Sequence, residues 1–252
     1  MRHSLALIAC LASPAVAAGD DLAAVEVLPG WVTPQGTYMT ALRLTLAPGW
    51  KTYWRAPGDA GIPPQITVSG GGVDAVDFHW PTPEVFDQNG MRSIGYHDGV
   101  VLPIEVSGAG AHRLTGTLEI GVCDDICVPA QLTFDAALLD GPRNPVIVGA
   151  LLDQPQAGGT ATCRVTPTSE GLQLDATLTL PATGAQEALA IEAGDPHVWI
   201  SEPQIARRGD TLTARALMVR GAGEAFAFDR SAVRFTVLGS DRAIEVRGCT
   251  AG

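Results

Sequence analysis

Cys123 and Cys127 are the residues whose type and spacing could do chemistry. They stand in the segment Ile120-Gly121-Val122-Cys123-Asp124-Asp125-Ile126-Cys127-Val128-Pro129, with strand-like runs on either side. A three-residue hairpin loop would leave the two cysteines flanking the turn, close enough for a disulfide. Closing so small a ring adds little stability, because the chain-entropy effect of a crosslink grows with the loop it closes. A bond of little structural value is easier to explain as one that opens and closes. Two other readings of the spacing stand beside it. One is a fixed staple or an unused thiol pair; the other is a Cu(I) site in which two soft sulfur ligands are joined by His97 or Met91. Asp124 and Asp125 lie inside the loop, and negative charge beside a thiol disfavours the thiolate. The spacing and charge together predict a quiet dithiol that exchanges only with a docked partner.

The remaining cysteines divide by position. Cys10 falls in the N-terminal stretch MRHSLALIACLASPAVAA, which has a basic start at Arg2, a short apolar run and small residues before Ala18. This pattern predicts a signal peptide over residues 1–18 and an exported chain, and the apolar run is too short to span a membrane. Export places the other four cysteines in an oxidising setting. Cys163 and Cys249 then form the natural second pair. A bridge there would close about 86 residues and stabilise by roughly 4 kcal/mol in the chain-entropy model, which favours a structural disulfide.

The elements that must position these residues read as strands. Thr37 to Leu46, Gln65 to Ser69, Val73 to Trp80, Val100 to Val106, Leu114 to Val122 and Val128 to Leu138 are short apolar or alternating runs bounded by Gly, Pro, Asn and Asp. Gly141-Pro142-Arg143-Asn144-Pro145 interrupts the pattern as a linker, and Val146 to Leu152 could form a short helix. The pattern resumes with Ala161 to Thr166, Leu172 to Leu180, His197 to Ile200, Thr211 to Val219, Val233 to Leu238 and Ala243 to Gly248. The expected fold is all-β, two immunoglobulin-like β-sandwich domains in tandem, over residues 19–141 and 146–252.

Composition narrows the function classes. The 252 residues are 46% hydrophobic and 17% charged, enough apolar material for buried cores and unlike a disordered chain. Sixteen basic residues against 27 acidic give a net charge of -11, which excludes a partner bound through phosphates, so neither nucleic acid nor an anionic membrane is expected. Beyond the N-terminal stretch no apolar run reaches the eighteen residues a membrane span needs, so membrane insertion of the processed chain is not expected. His97-Asp98 has no accompanying nucleophile motif such as GxSxG. His197 reads as structural, and Arg207-Arg208 is too small a basic cluster for a nucleic-acid site. Trp50, Tyr53, Trp54 and Trp80 read as core aromatics. Lys51 and Arg55, which bracket Tyr53 and Trp54, read as solvated cations that could also offset the loop aspartates. No cofactor or resident metal is expected.

Several spaced motifs carry a family resemblance. Residues 49–61 (GWKTYWRAPGDAG), Trp80-Pro81-Thr82-Pro83 with Phe86, Gly95-Tyr96, Leu102-Pro103 and the Cys-Asp-Asp-Ile-Cys-Val-Pro segment resemble the periplasmic N-terminal domain of the DsbD family of thiol:disulfide interchange proteins. The three-residue cysteine spacing resembles its ScsB-like branch, associated with suppression of copper sensitivity, and the second half is similar to the additional immunoglobulin-like domain of that branch. The resemblance implies a cysteine pair that takes electrons from a DsbD- or CcdA-type membrane reductase and hands them to a thioredoxin-like periplasmic protein. It implies that Cys127 forms the mixed disulfide and Cys123 resolves it. A cap loop shields the pair in the family; it corresponds to roughly Glu84 to Ser93, with Phe86 and Met91 as shielding residues. This chain ends at Gly252, without the transmembrane and thioredoxin domains of most relatives, so a stand-alone protein would find its reductase in trans.

Overall fold

The computed structural model describes residues 22–58, 61–88, 91–221 and 224–252, except for the side chains of Gln88 and Met91. The expected signal peptide and Cys10 lie outside the described residues. Ten strands precede the one helix among the described residues: β1 (Ala23–Val32), β2 (Tyr38–Leu46), β3 (Lys51–Tyr53), β4 (Gln65–Ser69), β5 (Ala75–Phe78), β6 (Glu84–Gln88), β7 (Met91–His97), β8 (Gly99–Ser107), β9 (Arg113–Cys123) and β10 (Cys127–Ala137). They form two sheets, one ordered β1-β2-β8-β5 and the other β10-β9-β3-β7-β6, with β4 also paired to β9. After α1 (Pro145–Leu152) come β11 (Gln156–Ala157), β12 (Thr160–Pro167), β13 (Leu172–Thr179), β14 (Ala188–Glu192), β15 (Val198–Ile200), β16 (Gln204–Arg208), β17 (Thr211–Arg220), β18 (Arg234–Leu238), β19 (Ala243–Arg247) and β20 (Thr250–Ala251). These build a β11-β19-β18-β14 sheet and a β15-β17-β13-β12-β20 sheet, with β16 on β17. The fold is all-β, with the four sheets in two immunoglobulin-like bodies.

Alternation explains each core. In β9 the even-numbered Leu118, Ile120 and Val122 turn inward with Leu44, Leu46 and Leu132, while the odd-numbered residues face outward. In the second body Leu174, Leu178, Leu212, Met218, Phe235 and Val237 make the equivalent core. Strand β2 is buried on both faces over its first half because α1 covers the outer one, where Ile147 packs among Leu28, Trp31, Met39 and Ala41. Pro145 opens this helix and the Asn144 side chain caps it by accepting from the Val146 N–H at 3.0 Å.

A third apolar cluster joins the bodies. Strands β14, β18 and β19 are also buried on both faces. Leu189, Ile191, Phe235, Val237 and Val246 face their own core. Ala188, Ala190, Leu238 and Ala243, on the other side, receive Trp54, Ile94 and Tyr96 of the first body. The three alanines leave room for Trp54, whose side chain is fully buried.

A candidate redox site on the β9–β10 hairpin

Strands β9 and β10 pair antiparallel over eleven residues each, and Cys127 stands directly opposite Cys123 across the loop Asp124–Ile126. The Asp124 N–H donates to the Ile126 carbonyl at 3.1 Å, tightening that loop. The cysteines are joined as a disulfide with their Cα atoms 4.1 Å apart. Their surroundings differ: Cys123 is only 4% exposed, whereas Cys127 is on the surface. Ile126, at the tip of the loop, is 69% exposed.

Register assembles the rest of the site. Cys123 pairs with Lys51 of β3, and Lys51 with His97 of β7. Tyr53 pairs with Gly95, Gly95 with Glu84 of β6, and Ser93 with Phe86. Opposed residues share a face, and so do residues two apart on one strand. Cys123, Cys127, Lys51, Tyr53, Glu84, Phe86 and His97 therefore occupy one face of the sheet, opposite the face that carries the core.

Tyr53 reaches furthest into this arrangement. Its hydroxyl lies 3.2 Å from Cys123 Sγ and 3.4 Å from Cys127 Sγ. A disulfide sulfur has no proton, so the hydroxyl is the donor, its one proton shared between the two sulfurs. Burial raises the Tyr53 pKa above the usual phenol value, so the group keeps its proton at neutral pH. Two glycines make the approach possible. A Cβ on Gly121 would stand 3.1 Å from the Tyr53 ring, and one on Gly95 would collide with the Thr52 carbonyl. Thr52 itself points to the other side of β3 and donates its hydroxyl to the Gly121 carbonyl at 3.0 Å, tying β3 to β9.

The segment expected to act as a cap loop is a β-hairpin here: Glu84 to Gln88 and Met91 to His97 pair as β6 and β7 at the sheet edge. Sequence inspection overlooked both strands because Pro81, Pro83 and Gly90 punctuate the region and alternation across them is short. Phe86 is buried, edge-on to His97 with ring centres 4.5 Å apart and with the Lys51 ammonium 5.1 Å from its ring centre. Glu84 and His97 approach at 3.1 Å. The backbone of Met91 begins β7, but its side chain lies outside the described residues. Lys51, expected as a solvated cation, instead bridges the cysteine strand and Phe86. Arg55 departs further from that expectation: it is largely buried and ion-paired to Glu192 and Glu245 of the second body.

Elsewhere, Trp54 is core, while Trp50 and Trp80 are half-buried against the apolar clusters. His97 lies two strands from Cys123, about 10 Å between backbones, which disfavours it as a third copper ligand. Asp98 caps a turn by accepting from the Gly49 N–H at 2.7 Å. His197 is exposed beside Asp195, and Arg207 is paired with Glu187. Cys163 and Cys249 are joined as a disulfide with Cα atoms 5.7 Å apart, where β20 lies parallel to β12. The feature the sequence reading missed was the Tyr53 hydroxyl on the sulfurs; its signal was Tyr53 standing two residues beyond Lys51 in a run that could pair with the cysteine strand.

Comparison with known proteins now bears on this geometry. Residues 21–138 match the family model described as thiol:disulfide interchange protein DsbD, N-terminal. This part of the chain is a DsbD N-terminal-like domain. The whole chain is similar to a solved structure described as the N-terminal periplasmic domain of ScsB from Proteus mirabilis, with 26% sequence identity and a TM-score of 0.67, covering 91% of this chain and 92% of that one. The similarity thus extends through both bodies. A comparison with curated protein sequences gives no match. In the DsbD N-terminal-like domain the cysteine pair closes the β9–β10 hairpin, and the domain is a thiol-disulfide exchange module. Among the described residues no helix is long and apolar enough to cross a membrane.

Proposed function

We propose that this protein is a periplasmic thiol-disulfide exchange protein that relays electrons through Cys123 and Cys127, between a DsbD- or CcdA-type membrane reductase and a thioredoxin-like partner. The observation that carries this reading is the unequal placement of the two sulfurs, with Cys127 on the surface and Cys123 buried beneath it. An incoming disulfide meets Cys127 first. The Cys127 thiolate attacks one sulfur of the partner disulfide, forming a mixed disulfide and releasing the other partner sulfur as a thiolate. Cys123 then attacks the Cys127 sulfur, which frees the partner as a dithiol and leaves Cys123 and Cys127 oxidised. The membrane reductase returns two electrons and two protons to close the cycle. Two exposed apolar side chains, Ile126 in the loop and Ile62 beside Gly121 of the cysteine strand, offer the partner a contact near the sulfurs. The name of the similar ScsB structure and the expected signal peptide support a periplasmic location. The Cys163–Cys249 bond, buried at Cys163 and partly buried at Cys249, belongs in this reading as a staple of the second domain.

The test is capture. A Cys123→Ala variant cannot resolve a mixed disulfide, so it should accumulate a covalent adduct with a thioredoxin-like protein that a Cys127→Ala variant does not form. An adduct that forms equally on both variants, or on neither when the candidate partners are supplied oxidised, rules the relay out.

A further inference from the structure

Strand β3 runs out in three consecutive residues with three different surroundings. Tyr53, its last residue, holds its hydroxyl against both sulfurs. Trp54 turns the opposite way and is buried among Ala188, Ala190, Leu238 and Ala243 of the second body. Arg55 stacks 4.2 Å from the Trp54 ring centre. Its Nε donates to both Glu192 oxygens at 3.1 and 3.2 Å, and its Nη2 to Glu245 at 2.6 Å. Glu245 is itself 7% exposed and takes a second arginine, Arg247, at 2.7 Å.

The sheet does not hold Tyr53 on the cysteine side. Pairing between β3 and β9 stops at Thr52, opposite Val122, and β9 next pairs with β4 from Glu119 onward. Tyr53 keeps its β7 partner, Gly95, and the direction of its ring toward the sulfurs depends on how the chain leaves the strand. That exit is held from two sides: the Trp54 N–H donates to the Ile94 carbonyl at 2.9 Å and the Ile94 N–H to the Pro57 carbonyl at 2.9 Å within the first body, while the Trp54 ring and the Arg55 guanidinium are anchored in the second. A planar guanidinium held by two carboxylates and an aromatic face has little freedom.

We propose that the second body is a working part of the redox site: through Arg55, gripped by Glu192 and Glu245, it positions the Tyr53 hydroxyl on the Cys123–Cys127 pair. Arg55 touches neither sulfur and is a positioning residue. The inference rests on the exchange reading above and adds to it a role for the second body. A hydroxyl donates more strongly to a thiolate than to a disulfide sulfur, and its oxygen can accept from a thiol S–H that the disulfide lacks, so a phenol held in place favours the reduced pair. Slackening the grip shifts the pair toward the disulfide.

The measurement is the equilibrium of the full-length protein with glutathione. In that exchange two glutathione thiols join as one glutathione disulfide, and the Cys123–Cys127 bond takes up the two electrons and two protons. Acid quenching, alkylation and mass analysis of the peptide that carries both cysteines give the equilibrium constant. Removing Arg55 outright would take from Glu192 its paired cation at a largely buried contact and threaten folding. The variants are therefore Arg55→Lys, which keeps the charge and loses the fork, and Glu192→Gln, which leaves the Glu245 contact intact. Each is measured alone and in a Tyr53→Phe background. We expect either change to lower the equilibrium constant for reduction by about threefold to tenfold when Tyr53 is present, and to leave it unchanged in the Tyr53→Phe background. An equal shift in both backgrounds, or no shift with Tyr53 present, overturns the proposal. Glutathione needs no protein partner, so this result stands whether or not an adduct is captured on Cys127, and the two readings fail separately.

Discussion

Tyr53, Lys51 and the loop aspartates set the reactivity of the sulfurs by opposing means. The phenol donates to sulfur and the Lys51 strand sits against Cys123, while Asp124 and Asp125 add negative charge at the turn. Asp125 is exposed, so its field on a thiolate about 6 Å away is close to that in water, roughly 0.7 kcal/mol or about threefold in thiolate population. An Asp125→Asn variant of the reduced protein should react with iodoacetamide about threefold faster at neutral pH, and added salt should erase the difference. Wild-type alkylation that is already fast would show an activated thiolate and contradict the electrostatic reading. The sequence displayed the cysteines and the aspartates openly, because their spacing is local. It concealed the Tyr53 contact and the partners of Arg55, because these depend on register between β3 and β9 and on carboxylates 137 and 190 residues away.

Strands β6 and β7 form the edge of the sheet that carries the cysteine pair. Phe86 is held by the edge of His97 and the Lys51 ammonium on the face that carries the sulfurs. The shielding role proposed for Phe86 predicts that Phe86→Ala raises the alkylation rate of the reduced pair several-fold. If Phe86 merely packs, thermal stability should fall with no change in alkylation, a loss expected for a buried aromatic truncation at about 3 kcal/mol or more. Much of the element structure was legible: the run Gln65 to Ser69 is β4 itself, and the cysteine hairpin follows from two alternating runs around a short loop. The β6–β7 hairpin was not, since prolines before it and Gly90 within it read as loop chemistry. Helix α1 was anticipated in place, but its packing on β1, β2 and β8 was not, because eight mostly apolar residues have no one-sided pattern to show which surface they cover.

The two bodies meet through a contact built from small and charged residues. Ala188, Ala190 and Ala243 admit Trp54, and Glu192 with Glu245 holds Arg55, so the first body's redox strand ends inside the second. A tandem pair of β-sandwiches could be expected from strand spacing, whereas the joint could not, because alternation in β14, β18 and β19 reveals an inward face and says nothing of a second buried one. The Cys163–Cys249 bond spans 86 residues within the second body and contributes by constraining the unfolded chain, about 4 kcal/mol. The four-residue separation of Cys123 and Cys127 has no such leverage, which suits a pair proposed to open and close. The reduction potential of the Cys123–Cys127 pair tests this claim most directly. A value in the range of exchange proteins, between about -180 and -270 mV, is expected; a value well below about -300 mV would mark a fixed structural bond and contradict the account.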